Sequence, residues 1–452
     1  MDNFYLAVIM KNNGLHRNTL QISQEVYREL NLNEDDPVSI WTGQLGYRQR
    51  ISVVNKPGRI IELSSENLRK MHLMASRKYG VANINNSIHI GPVVGIMAEV
   101  RSDINRPFGA QSKFIKEVIA AGRTLGEICF GFDPDSINYH NRTVWGYNNT
   151  NDVWKRSIFP IPDVIYPREG GYSSRSLQIR KRLENMGCKF INPPLIGKWQ
   201  TYQTLSRNLS IDQYIPDTRR VVDYHQIEQM LIRYGSVYLK PITGSQGKNI
   251  IKVSRVRNSK IYKYQYQVKY QAREGTAIGL TNLRHILKGL MNNRSYIVQE
   301  RIKLLRVGGK IADVRVLVQK DNTGQWSVTG KAFRIGKQGS ITSNISGGGS
   351  AEKLSVILSR YFSDPLTRDR IVGEINYLAI ETAEELETNG ADIGELGIDI
   401  GVDSNGKIWF IEANLKPARK VFLMLGEKST RRMSVVKPLL YARYLANFRQ
   451  EE

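Results

Sequence analysis

Hydrophobic positions in the first part of the chain come in short runs broken by polar and Gly/Pro turns. They are residues 4–10 (FYLAVIM), 37–43 (PVSIWTG), 50–54 (RISVV) and 59–63 (RIIEL). Runs of this length bounded by turn residues predict strands, so residues 1–85 are expected to form a β-rich domain. A buried-strand pattern follows around Pro92 to Met97, within SIHIGPVVGIMAEV. Phe114, Ile115, Val118 and Ile119 then repeat at helical spacing, with Gly122 as the expected C-cap. EICFGF (127–132) predicts another strand. Strand, helix, strand predicts an α/β segment over residues 86–185, and FPIPDVIYPREGG (159–171) reads as its loop-rich exit.

The pattern changes from residue 186. A helix is expected near Lys198, within KWQTYQTL. DYHQIEQMLIRYG (223–235) predicts a second helix, with Asp223 as N-cap, Gln226 completing a capping box and Gly235 just past the end. In VYLKPITGSQGKNIIKV (237–253), two β-type runs flank a loop holding Gly244, Gly247 and Lys248, and Lys240 lies inside the first run. In KIYKYQYQVKYQ (260–271), Tyr262, Tyr264, Tyr266, Val268 and Tyr270 alternate with polar residues, which is strand period. A basic, aromatic strand can stack single-stranded nucleic acid. Alternation alone also gives an aromatic face on a core, and on that reading no nucleic-acid partner is expected.

Composition bounds the partners. The chain has 452 residues, enough for two to three domains, and its 41% apolar content supports packed cores. Sixty-five Lys and Arg face 42 Asp and Glu, a formal net charge of +23, which favours anionic partners. Cys129 and Cys188 are the two cysteines, so neither a disulfide framework nor a cysteine zinc site is expected. The apolar run at residues 4–10 is too short for a signal peptide, and no run reaches the length of a membrane span. A cytoplasmic protein without a membrane span is the expectation.

The candidate chemistry lies in four places. The loop Gly244, Ser245, Gln246, Gly247, Lys248 could let backbone amides converge on phosphates beneath a flap, with Lys240 adding charge, or it could be a plain hairpin turn. In GIDIGVDSNGKIWFIEAN (397–414), Asn405-Gly406 predicts a two-residue hairpin turn. That register sets Asp399 opposite Glu412 and brings Asn414 to the same face. Ile398, Ile400, Val402, Trp409 and Ile411 would then form the core side. Carboxylates about 5 Å apart at Cβ repel. With the Asn414 amide they either hold Mg²⁺ or line a solvated acidic strand. SYIVQERI predicts a strand opening into Gln299, Glu300, Arg301 and Ile302, whose backbone could meet a base edge. ADVRVLVQ and GKAFRIG place Asp313, Arg315 and Arg334 in strands, where the arginines are either anion forks or surface ion pairs. SNISGGGSA (343–351), with Asn344, is a Gly-rich loop before a helix.

Taken in order, these pieces resemble the ATP-grasp superfamily over roughly residues 186–450. GPVVGIM, KPITGSQGKNI, ADVRVLVQ and IEANLKPAR resemble, more narrowly, the YheC/YheD spore-coat-associated ATP-grasp family of endospore-forming bacteria. SNISGGGSA is similar to the corresponding loop of ribosomal-protein glutamate ligases. The resemblance implies a multidomain α+β and α/β protein. Residues 186–452 would form an ATP-grasp fold of two α+β subdomains, preceded by a pre-ATP-grasp-like α/β segment and the small β-rich N-terminal domain. It implies ATP and Mg²⁺, with two ions, as cofactors. The expected reaction is carboxylate–amine ligation through an acylphosphate.

The resemblance also carries roles. Lys198, Lys240, residues 244–248, Gln299 to Ile302 and Asp313 would bind the nucleotide. Asp399, Glu412 and Asn414 would hold metal, and Arg315, Arg334 and Asn344 would act on the transferring group. The partners implied are a carboxylate substrate and an amine nucleophile, with an acidic peptide or coat protein fitting the +23 charge and a location at the forming spore coat. An ATP-grasp kinase and a non-catalytic coat scaffold are the alternatives. Lys416-Pro417-Ala418 stands where many of these ligases have Pro-Gly, a departure on the acceptor side.

Overall fold

A computed structural model describes residues 4–448 except 33–36, 170–172, 195–196, 244–248, 269–270, 341, 344, 346–347, 389 and 391. Contacts divide the chain into two units. The first holds residues 1–194, 320–325 and 435–452, and the second holds 195–319 and 326–434.

The first unit begins with a closed seven-stranded barrel built from Tyr5–Lys11, Thr19–Ser23, Val38–Thr42, Leu45–Val54, Ile60–Leu63, Arg77–Ile84 and Ser87–Gly91. Alternation fills it: Ala7, Ile9, Leu20, Ile22, Ile40, Ile61, Val81 and Ile88 are fully buried. SIHIGPVVGIM forms two strands rather than one. Ser87–Gly91 closes the barrel, and Val93–Met97 is central in a six-stranded sheet. Val93–Met97 pairs in parallel with Ile128–Asn138 and with Val164–Pro167. The expected exit loop is therefore partly a core strand. Its prolines suggested a loop, but all four residues of Val164–Pro167 are buried. The helix over Ser112–Leu125 ends at Gly126 (φ +82), one turn beyond the expected Gly122. Gly122 has a different use, because a Cβ there would lie 2.2 Å from the Cys129 sulfur.

The second unit holds two sheets. One is antiparallel, in the order Thr218–Arg220, Tyr296–Glu300, Ser236–Pro241, Ile251–Arg255, Ile261–Val268, Gln271–Ile278. Helices Tyr224–Tyr234 and Gly279–Met291 bury Ile227, Met230, Leu231 and Leu287 against it. The first of these helices has the expected caps: Asp223 and Gln226 form the capping box, and Gly235 ends it at φ +70. Tyr262, Tyr264 and Tyr266 pack on this same core, so these three serve the interior, and Tyr270 lies outside the described residues. The other sheet runs Ser350–Glu352, Trp326–Ile335, Lys310–Lys320, Glu395–Val402, Ile408–Asn414. Helix Pro365–Glu387, capped by Asp364 with Pro365 in its first turn, lays Ile371, Ile375, Leu378, Ala379 and Ala383 into that core. The Gly-rich segment leads into the short strand Ser350–Glu352 before helix Leu354–Tyr361. Among the described residues no helix is long and apolar enough to cross a membrane.

Candidate functional site

The acidic hairpin is the centre of the site. Next to its turn, Ile400 pairs with Phe410, Gly401 with Trp409 and Val402 with Ile408. Between Ile400 and Asp399 the register shifts by one, and Asp399 then pairs with Glu412 and Gly397 with Asn414. The two-residue turn of the sequence analysis is corrected. Asp403 donates its amide to the Lys407 carbonyl (3.0 Å), and its Oδ1 accepts from the amides of Asn405 and Lys407 (2.9 and 3.1 Å). Residues 404–406 make the turn, with Gly406 at φ +78. The longer turn moves the register one way and the bulge moves it back. Asp399 and Glu412 therefore face each other as expected, but Ile408 and Phe410 occupy the core where Trp409 and Ile411 were expected.

Asp399 does not meet Glu412 as a bare charge. Its Oδ1 accepts from Arg315 Nε at 2.6 Å, and its Oδ2 lies 3.3 Å from Arg315 Nη2 and 2.7 Å from Arg334 Nη2. Arg334 also forks onto Asp313, at 2.8 Å from Nε to Oδ1 and 2.6 Å from Nη2 to Oδ2. The Ser343 hydroxyl donates to the same Asp313 Oδ2. All four charged side chains are buried. Burial pushes the Asp399 carboxyl up, but Arg315 and Arg334 together hold it below its ordinary value. Burial likewise pulls Arg334 down, and Asp313 and Asp399 reverse it, so the guanidinium is raised. Neither a solvated acidic strand nor a pair of surface ion pairs describes this cluster. Gly397 leaves room for it: a Cβ there would lie 3.2 Å from Arg315 Nη1 and 2.8 Å from Pro417 Cβ.

The two lysines come to the same place. Lys198 opens helix Lys198–Leu205, its amide donates to the Ile242 carbonyl (3.2 Å), and its Nζ lies 3.4 Å from Glu412 Oε1. Lys240 is buried in strand Ser236–Pro241 and donates to Gln299 Oε1 at 2.6 Å. Burial lowers its pKa to about 8. Glu412 resists that shift, Lys198 adds to it and Asp399 resists it. Gln299 in turn donates through Nε2 to the Thr218 hydroxyl (2.8 Å). Glu300 is clamped to Asp217 by amide-to-carboxylate and amide-to-carbonyl bonds of 2.9 and 3.0 Å. The Arg301 amide donates to the Ser236 carbonyl, and Ile302 follows, half-buried.

Gly244, Ser245, Gln246, Gly247, Lys248 and Asn344 lie outside the described residues. The strands on either side of residues 244–248, Ser236–Pro241 and Ile251–Arg255, pair antiparallel.

Sequence reasoning missed several supports. Thr218 is reached only through folding, and Ser343 stands in the SNISGGGSA motif without its bond to Asp313 being foreseen. Arg419 is a stronger omission. It pairs with buried Glu395, its Nε donates to the Ser434 carbonyl (3.0 Å), and its Nη1 donates to the Pro417 carbonyl (3.2 Å). It thus pins the Lys416-Pro417-Ala418 segment, and its place at the end of the IEANLKPAR motif was the available signal. Among the described residues no three His, Cys, Asp or Glu side chains group as a metal set. The oxygen donors on offer are the Asp399 and Glu412 carboxylates and the Asn414 amide, which suit a hard cation beside phosphates.

The YheC/D like ATP-grasp family model matches residues 187–445. The Endospore coat-associated protein YheD of Bacillus subtilis (strain 168) is 28% identical over 395 residues, covering 85% of each chain. Endospore coat-associated protein YheC of the same organism is 25% identical over 323 residues, covering 70% of this chain and 86% of its own. Among solved structures, D-alanyl-alanine synthetase A from Vibrio cholerae O1 biovar eltor str. N16961 aligns with a TM-score of 0.46 and 13% identity. It covers 79% of this chain and 99% of that one.

Proposed function

The chain belongs to the YheC/D like ATP-grasp family, and from that premise we propose that it is an ATP- and Mg²⁺-dependent ligase joining a carboxylate to an amine through an acylphosphate. The observation that carries this reading is the buried Asp399, held by Arg315 and Arg334 on the strand pair that also presents Glu412 and Asn414, with Lys198 and Lys240 alongside.

Phosphoryl transfer asks a protein mainly to position groups and neutralise charge. Lys198 and Lys240 supply ammonium groups for the nucleotide phosphates. Gln299 orients Lys240, and the segment through Glu300, Arg301 and Ile302 borders the base. Asp399, Glu412 and Asn414 would hold Mg²⁺, which when bound draws charge from the phosphate oxygens. Arg315 and Arg334 stabilise the transferring group and then the acylphosphate. Asp313 acts through Arg334, because both of its oxygens are occupied by Arg334 and Ser343. Residues 244–248 would cover the nucleotide and exclude water, and Asn344 would border the acyl group. The carboxylate oxygen takes the γ-phosphoryl group and ADP leaves; the amine then attacks the acyl carbon and phosphate leaves.

The relatives' association with the endospore coat and the +23 charge support an acidic polypeptide of the forming coat as one substrate, met in the cytoplasm. The test is incubation with ATP, Mg²⁺ and panels of carboxylates and amines, read by ADP release and product mass. The ligase reading expects ADP only when both substrates are present, with loss of water in the product. A phosphorylated product formed without an amine would make the protein a kinase. Failure to bind nucleotide at all would make it a scaffold.

A further inference from the structure

The same oxygens of Asp399 that would hold a metal are engaged by two guanidinium groups, at 2.6 and 2.7 Å in the shorter contacts. A divalent cation and these arginines compete for one buried carboxylate. The charge of the whole cluster decides which side prevails. Among the described residues, Asp313, Asp399 and Glu412 face Arg315, Arg334, Lys198 and Lys240. The formal charges of these seven groups sum to +1 before any metal arrives. A divalent cation entering alone would triple that excess. It would also turn a buried guanidinium away from its counter-ion and leave that charge unpaired when nothing replaces it.

A polyphosphate reverses the balance. It brings several negative charges and gives the displaced arginines new oxygens, which planar guanidinium forks accept readily. We infer that Arg315 and Arg334 close the Asp399 metal seat to free divalent cations, and that the phosphates of the nucleotide open it, so that nucleotide binds first and admits the metal. Asp313 fits this exchange. Arg334 Nη2 reaches both Asp313 and Asp399, while its Nε bond to Asp313 Oδ1 gives a pivot about which Nη2 can swing away from Asp399. The inference rests on the nucleotide-site reading above and adds an order to it.

The experiment uses the full chain, with Mn²⁺ followed by the loss of its free paramagnetic signal and ADP followed by calorimetry. Without nucleotide, wild-type protein is expected to bind Mn²⁺ at the site about 100-fold or more weakly than in the presence of ADP. ADP is expected to bind in EDTA, with no metal present. Arg315→Gln should bind Mn²⁺ without nucleotide about tenfold more tightly than wild type, while Arg315→Lys, which keeps the charge, should not. Tight Mn²⁺ binding by wild type alone, or ADP binding that requires metal, overturns the inference and leaves the ligase reading standing. ADP binding under neither condition removes both. A folded Arg315→Gln that gains no Mn²⁺ affinity also overturns the closed seat. If that variant does not fold, the two wild-type measurements decide.

Discussion

Strands Lys310–Lys320 and Glu395–Val402 present two buried acids on one face, each opposite a polar partner. Asp399 pairs in register with Arg315, and Glu395 pairs with Gln319. The two pairs are completed differently. Glu395 is met by Arg419 and by Gln319. Donors of both also reach the backbone carbonyls of Ser434 and Pro417, which have nowhere to go. Asp399 is met by two arginines, one of them shared with Asp313, and its cross-strand neighbour Glu412 is only half-buried beside Lys198. Among the described residues, Arg315 and Arg334 meet Asp399 through side chains able to exchange their bonds for a ligand's charge. A buried ion pair sealed by backbone is part of the fold, and one completed by side chains can be part of a reaction.

The first way to break this contrast is Glu395→Gln. It leaves the Arg419 guanidinium buried without its carboxylate and is expected to cost about 3–5 kcal/mol in denaturant unfolding. A cost near zero would place Glu395 in the same class as the site acids. Asp399→Asn comes next. Asp313 still pairs with Arg334, but Arg315 loses its carboxylate, so the stability loss should lie at the low end of the same range, about 3 kcal/mol. Turnover should fall by roughly 10³-fold or more in the same preparation. A variant that unfolds while residual activity persists would invert the assignment.

Glu412→Gln sharpens the contrast further. Its partner Lys198 is itself partly exposed, so unfolding free energy should stay within about 1 kcal/mol of wild type. Turnover should still be lost, and wild-type rates would remove Glu412 from the site. The smallest effect concerns Lys240. A lysine whose folded pKa lies below its unfolded value opposes folding while it is charged. That penalty is fully present below about pH 8 and fades as pH rises from there toward the ordinary lysine range. Nucleotide affinity runs the other way, because the ammonium that attracts phosphate is lost over the same range. Calorimetry should show ADP affinity falling as pH rises through about 8, and Lys240→Met should flatten that profile. An unchanged profile in Lys240→Met would assign the titration elsewhere.

Local rules brought much of the site within reach of the sequence. The caps of helix Tyr224–Tyr234 were legible because Asp223, Gln226 and Gly235 act within a few residues of one another. The strands holding Arg315 and Arg334 were legible from their alternation, that of Lys240 from its β-type run, and that of Asp399 from the Asn405-Gly406 turn signal. The hairpin was legible only in part. Its facing acids were placed correctly, but the Asp403-closed turn and the bulge before Glu412 were not foreseen, and their shifts offset each other. Strand Val164–Pro167 was missed because proline content outweighed a pattern that makes sense only beside Val94 and Ile96.

The sequence by itself determined which residues carry charge into strands, where helix Tyr224–Tyr234 is capped, and which family the chain resembles. These follow from periodicity, capping and motif order, all properties of neighbours along the chain. Only the tertiary structure decided that Asp399 is shared between two arginines, that Asp313 serves Arg334 and Ser343, and that Arg419 closes on Glu395. Arg419 and Glu395 are 24 positions apart in the chain, and Arg315 and Asp399 are 84 apart. Whether an acid is repelled, solvated or neutralised depends on which distant cations the fold brings within about 3 Å and on how little water it leaves between them.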